Sequence, residues 1–481
     1  MTKVLSISFQ TSRVRKAMDL DITGGAYNLK APVAVQECIN LFPEVERQGA
    51  QSRRILRRYP GLKTFSNPSN GAIRGLRRVG GTLYAVAGTS LYSVDVFGTA
   101  TSLGTIPGTA IVSMAHDGTS LVVVLGSTSQ FTYNTSTSTF STVTLPFSSS
   151  KVVYLDTYMV HLRTNSKQIF ISASNSVTSY SALDIASKEG QPGNIVSMIT
   201  SNRDLILFGE ETTESWRNIG NPDFVFARQE GTFQERGALA LKSPVEMDND
   251  VYYIGDDRVV YRMQGYTPYR ISHHAIEKWL SEQSKADVDD AFGMTITFQG
   301  HYWYILTLAK GTWVYDATVS AMTEQPEWFQ LLSLGETNWR CDVSEDAYGK
   351  IFVGGGDGII YELDPDTKNE NGERQLKRRT TPYYHSERHP LSFSRLDLGF
   401  EEAVATSGIV DPQVFLEISD DWGRTWSSRR ARSLGQLGQY KKKAVWRRNG
   451  SPRTATFRIT VTDDVEVTFT GQWGEASVAS G

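Results

Sequence analysis

The sequence predicts an all-β chain: a β-propeller of six or seven blades with one inserted helix, then a C-terminal β-sandwich, preceded by an extended N-terminal arm. Three observations carry this. Aromatic residues are 11% of the 481, with 41 Gly and frequent Val, Thr and Ser, a composition suited to pleated, half-buried surfaces. Hairpin-like segments recur every 35–50 residues or so, the range of propeller blades. After a charged stretch near residue 370, alternating strands follow at shorter intervals, the rhythm of a sandwich.

Residues 1 to 65 lack clear periodicity and hold Gly-Gly, Pro and the basic run QSRRILRRYPG. They are expected to form the arm. From 66 to 365 the hairpins begin. GGTLYAVAGTSLYSVD (80–95) alternates Leu83, Tyr84 and Val86 against small residues, breaks at Gly88-Thr89 and resumes at Leu91-Tyr92. The same plan returns in TSLVVVLGSTSQFTYN (119–134), DLILFGEETTESWRN (204–218), DVYYIGDDRVVYRMQ (250–264), HYWYILTLAKGTWVYD (301–316) and KIFVGGGDGIIYELD (350–364). Each is an apolar strand, a short turn and a second strand carrying an aromatic near its end. A four-stranded blade cannot bury both faces alone, so such units stack radially. One helix interrupts the series, expected over 271–292, with Ser272 as its cap and Ile276, Trp279 and Leu280 on one face. DPDTKNENGERQLKRRTTP reads as a polar linker over 366–382. Residues 383–481 are expected to form the sandwich.

Lys+Arg 49 against Asp+Glu 52 leaves a net charge of −3, which argues against a protein that grips nucleic acid over its whole surface. Cys38 and Cys341 are too far apart in sequence for a zinc spacing, and two cysteines build no disulfide framework. The N-terminus has no apolar core of signal-peptide length, and no stretch nears the roughly 20 apolar residues of a membrane helix. A chain made in the cytoplasm that stays soluble, without membrane insertion, is the expectation.

SDDWGRTW (419–426) fits the Asp box of sialidases and related propellers, with Ser419, Asp421, Gly423, Thr425 and Trp426 at the fixed positions. A carboxylate followed by Gly can accept backbone N–H groups inside a tight turn, and the Gly can take a positive φ. The box is therefore read as a structural turn. A single box outside the propeller region does not make a sialidase. DPDTKNENG fails as an EF-hand loop, because Lys368 and Asn369 occupy the fifth and sixth positions. His273-His274 are adjacent and cannot share a helix face. His385 and His389 are four apart, but Pro390 follows and denies them helical metal geometry. No nucleotide, hydrolase or metalloprotease motif is present. No catalytic residue, cofactor or metal is expected. Basic clusters occur at Arg53, Arg54, Arg57 and Arg58, at Arg429, Arg430 and Arg432, at Lys441, Lys442 and Lys443, and at Arg447-Arg448. They read either as solvated strand ends or subunit contacts, or as contacts to DNA phosphates or an acidic neighbour.

Several segments in order carry a family likeness: CINLFPEV with Asn40, RRYPGLKTF with Tyr59-Pro60-Gly61-Leu62, GAIRGLRRV with Arg74-Gly75, SMAHDG, LILFGEETTESW with FQERGALA, ISHHAIEKWL, TWVYDATVS with Trp328, and AVWRRNGSPRTATFRITVTDDVEVTFTG. Together they resemble the packaged-DNA stabilisation, or tail nozzle, proteins of short-tailed bacteriophages. The resemblance spans nearly the whole chain and rests on collinearity. It implies a structural protein of the virion tail, a homo-oligomeric ring of six copies below the portal and its tail adaptor. The ring would retain packaged DNA, pass double-stranded DNA at ejection, and offer attachment for a tailspike or fibre and for the distal tip or needle. Two other classes stay open on the residues alone: a propeller glycosidase acting on bacterial surface glycan, and a non-catalytic receptor- or glycan-binding tail protein.

Overall fold

The computed structural model describes residues 16–19, 26–29, 34–45, 54–68, 71–385, 390–401, 408–436, 439 and 442–478. Seven four-stranded antiparallel units follow one another. Five are separate sheets, and two are continued by strands from elsewhere in the chain. Their innermost strands are Ile73–Val79, Ser113–His116, Ser149–Leu155, Ile195–Ser201, Val245–Met247, Phe292–Phe298 and Cys341–Ala347. Each touches the next, and the last touches the first, so the units close a seven-bladed propeller. Second strands such as Ser120–Val124 and Asp204–Gly209 are buried along their whole length, because neighbouring blades cover both faces. That is why they read as unbroken apolar runs. Outer strands such as Thr139–Thr144 stay largely exposed and polar.

The arm boundary drawn at residue 65 falls inside a strand. Gly61–Ser66 pairs antiparallel with Ile360–Asp364 and supplies the outermost strand of blade 7. The preceding residues are also woven in. Cys38–Ile39 lies between Trp328–Leu331 of blade 6 and Lys377–Thr380. Leu41–Val45 and Arg54–Arg58 form a hairpin whose second strand joins Thr468–Val478 of the sandwich. The segment looked irregular because its strands are short and each serves a different partner.

The stretch 366–382 is not a solvated linker. Asn369–Glu370, Glu373–Arg374 and Lys377–Thr380 are strands, and Glu370, Gln375, Lys377, Arg379, Thr380 and Thr381 are buried. Its charges misled because their partners are remote in sequence. The Lys377 ammonium donates to Asp463 O at 2.9 Å, and burial, with Arg58 nearby, lowers its pKa to about 8.

The predicted helix is two. His274–Ser281 and Lys285–Asp289 are separate, and residue 292 already starts blade 6. Ser272 is not the cap. Its hydroxyl accepts Val260 N at 3.1 Å and donates to Glu277 at 2.8 Å. His273 holds the N-cap position without a side-chain cap bond. The Arg258 guanidinium donates to the carbonyls of Leu280, Ser281 and Gln283, closing the C-terminal end of the first helix as a cation there should.

The sandwich faces one sheet of Ala444–Arg447, Leu391–Glu401, Thr468–Val478 and the N-terminal hairpin against another of Lys377–Thr380, Thr454–Val461, Gln413–Ser419 and Arg430–Ser433. One apolar cluster runs from Trp303, Trp328 and Trp339 of the propeller, through Phe42, Leu56 and Tyr59, to Trp446, Phe457 and Phe469 of the sandwich. Each large side chain buried in it contributes about 2–3 kcal/mol.

Candidate interaction surfaces

The segments that carry the family likeness hold structural parts. Asn40 adopts φ 52°. Its side-chain amide donates to Leu332 O and Leu376 O at 2.8 Å each and accepts Leu332 N at 3.0 Å, so one residue ties blade 6 to the crossing segment. Gly61 admits no side chain, since an added Cβ would lie 2.4 Å from Thr367 O. Arg74 is 2% exposed. It donates to Ala110 O at 2.7 Å, Gly88 O at 2.9 Å, and Ile106 O and Pro107 O at 3.1 Å each. It fastens blade 1 to the connection into blade 2. Neither task is legible in the sequence, because backbone carbonyls leave no mark there.

Polar groups on the innermost strands bridge blades. The Lys151 ammonium reaches Ser197 Oγ at 3.1 Å and Leu241 O at 3.3 Å; burial lowers its pKa to about 8. Ser201 donates to Glu246 at 3.2 Å, and Ser344 to Thr295 O at 3.0 Å. Asp342 is raised to about 7 by burial and then by Asp357, with Lys242 opposing. Two pairs resemble catalytic dyads but are sealed. Ser149 Oγ and His161 Nδ1 are 2.9 Å apart, and both residues are 0% exposed. Burial takes His161 down to about 3, and its other nitrogen meets Tyr180, which donates to Gln130. His301 Nδ1 lies 2.7 Å from Asp316, a residue that also accepts Trp303 Nε1 and caps the helix Ala317–Thr323 through Val319 N. The His301 side chain is 7% exposed and Asp316 0%. Among the described residues no three His, Cys, Asp or Glu gather to hold a metal ion, and no helix is long and apolar enough to cross a membrane. Cys38 and Cys341 are buried free thiols. His385 is described; His389 lies outside the described residues.

In the Asp box, Asp421 Oδ1 accepts Arg424 N at 3.0 Å, Thr425 N at 2.8 Å and Ser419 Oγ at 2.8 Å, and Oδ2 accepts Thr425 Oγ1 at 2.7 Å. The Thr425 N–H and hydroxyl lead in lowering its pKa to about 2. Gly423 has φ 82°, and Trp422 shares the left-handed region at 69°. Trp426 precedes the next strand, which starts only at Arg430, and its ring lies 3.7 Å below the Arg458 guanidinium carbon. The carboxylate is spent on its own loop.

The basic residues diverge. Arg53 and Lys441 lie outside the described residues. Arg54 pairs with Glu327 at 2.7 Å and Arg57 with Glu44 at 2.8 Å. Arg58 is 5% exposed and donates to Glu466, Thr367 O and Pro365 O. It faces inward and cannot touch DNA or another subunit. Lys442 and Lys443 are exposed, and Lys442 donates to Ser433 Oγ at 2.5 Å.

A family model described as bacteriophage P22 Gp10, β-propeller, matches residues 19–368, and another, bacteriophage P22 Gp10, β-sandwich, matches residues 378–475. No curated protein matches the chain. Among solved structures, the chain is similar to the crystal structure of the computationally designed Ika8 protein, at 12% identity and a TM-score of 0.39, over 68% of this chain and 99% of that one.

Proposed function

Because this chain belongs to the bacteriophage P22 Gp10 family, we propose that it is a non-enzymatic building block of the virion tail. Copies join as a ring, six in number, below the portal and its adaptor. The ring retains packaged DNA, conducts it at ejection, and carries the tailspike or fibre and the distal tip. The observation that carries this reading is the run of two family models, propeller then sandwich, along nearly the whole chain. The chemistry is consistent with it. The polar clusters described above are committed to holding blades and domains together, and the two dyad-like pairs are closed to solvent. A net charge of −3 suits a conduit, since a strongly basic lumen would hold DNA through many phosphate contacts.

Electron microscopy of particles made with and without this chain tests the reading. Particles with it should show a ring of radial blades below the adaptor. Particles without it should fill with DNA and then lose it. DNA retained without the chain, or a purified single copy that cleaves surface glycan, would overturn the proposal.

A further inference from the structure

The sandwich has one flank whose charge is not balanced within the fold. Arg430–Ser433 and Ala444–Arg447 are edge strands of opposite sheets. Arginine side chains close the gap between them. Arg432 Nε donates to Val445 O at 2.9 Å, Arg430 to Asn449 at 2.5 Å and to Arg447 O at 3.5 Å, and Trp446 Nε1 returns to Arg430 O at 2.9 Å. Arg432, Lys442, Lys443, Arg447 and Arg448 are exposed. None of these five, nor Arg430, makes an ion pair among the described residues, and Arg432 further lowers the pKa of Arg430, whose main cause is burial. Six cations thus share one edge of a chain whose net charge is −3. The guanidiniums already occupy carbonyls that a visiting strand would need, so this flank offers charge rather than strand pairing.

The matching deficit lies on the propeller. The connection into blade 4, the turn Gly209–Thr213 and the segment 233–238 meet at one end of blades 4 and 5: Thr213 and Gln234 exchange both backbone bonds, Ala238 N donates to Gly209 O, and Gly193 lies against the Glu210 carboxylate. They expose Glu189, Glu210, Glu211 and Glu235. Nearby cations offset these only in part. Lys188, buried on Thr212 Oγ1, is held first by Glu214 and then by Glu210 and Glu211, while Arg236 is paired with Asp256 and Asp257 and leaves Glu189 and Glu235 to solvent. The sandwich joins the propeller at blades 6 and 7, so the acidic loops stand one to three blades away round the circle of blades.

We propose that the basic flank of one copy docks on the acidic loops of the next copy. The occupant is a second copy of this chain because each copy carries both halves of the match on different flanks. That is the requirement of a head-to-tail ring, in which two different surfaces must complement each other. DNA would account for the basic flank alone. The proposal rests on the ring reading above and names its contacts.

A charge swap tests it in particles produced from a phage genome lacking the wild-type chain. One variant carries Lys442→Glu, Lys443→Glu and Arg447→Glu; the other carries Glu210→Lys, Glu211→Lys and Glu235→Lys. All six sites are exposed, and circular dichroism checks that each variant folds. Each alone should lose ring incorporation and infectious yield by on the order of 100-fold, through like charges facing across the interface. Expressed together, they should recover to within about tenfold of wild type, since every contact then pairs opposite signs. Folded variants that fail alone and fail together overturn the pairing. So does a basic-flank variant that fails while the acidic-loop variant assembles normally. In that case, weakened binding of a 30-base-pair duplex, with a shallower salt dependence, would assign the flank to DNA. Wild-type particles with no ring of this chain would defeat the ring reading itself; a normal ring built from either variant alone would defeat only this contact.

Discussion

Arg74 gives up its hydration for four carbonyls on the path from blade 1 to blade 2. Removing the guanidinium leaves those carbonyls buried and unpaired, so Arg74→Met should cost about 3 kcal/mol, read as a lower urea midpoint. His161 sets a pH limit. It is held near 3 by burial, against about 6.5 in an unfolded chain. The folded protein therefore stays unprotonated while the unfolded chain takes up a proton below pH 6.5. Stability is complete above that value and falls as the pH drops toward 3, by about 2 kcal/mol at pH 5. His273, lowered to about 4 by burial, acts in the same direction. Denaturant midpoints measured from pH 7 to pH 4 should fall, and His161→Gln should flatten the slope. Legibility at this scale followed sequence distance. The bonds of Asp421 reach no further than Thr425, so the turn could be read from eight letters. Arg74 reaches to Ala110 and Arg58 to Glu466, and nothing local announces either.

Elements show the same divide. The hairpins could be read because a blade's first three strands are neighbours in sequence and their buried second strands are runs of Leu, Val, Ile and Phe. The N-terminal strands could not, because Leu62 pairs with Leu363 and Arg57 with Thr468. A charged run such as KNENGERQLKRR reads as solvated until the remote carbonyls and carboxylates that receive it are known. Excising residues 66–365 should therefore not yield a sound propeller. Such a fragment keeps only Ser66 of the strand Gly61–Ser66, which completes blade 7, and exposes the edge of Ile360–Asp364. It should aggregate or melt below a fragment beginning at residue 54, by roughly 5 °C if about 2 kcal/mol are lost. Differential scanning calorimetry would check this.

At the scale of the whole molecule, net charge conceals an uneven surface: a cationic sandwich edge and anionic propeller loops within a total of −3. Attraction between such exposed groups is screened over about 10 Å at 0.1 M salt. If copies form the proposed ring, particles should therefore shed this chain more readily at 1 M sodium chloride than at 0.05 M, which sedimentation of treated particles would measure. The pairing of Cys38–Ile39, Leu41–Val45, Arg54–Arg58 and Gly61–Ser66 with strands of both domains also imposes a timetable. The ribosome makes these strands first, yet their partners at Ile360–Asp364 and Thr468–Phe469 emerge only after some three hundred to four hundred more residues. Loop closure on that span is slow, so the nascent chain must carry unpaired edges until Phe469 has emerged. A product stalled before Thr468 would leave the edge of Arg54–Arg58 open and be a target for proteases or chaperones.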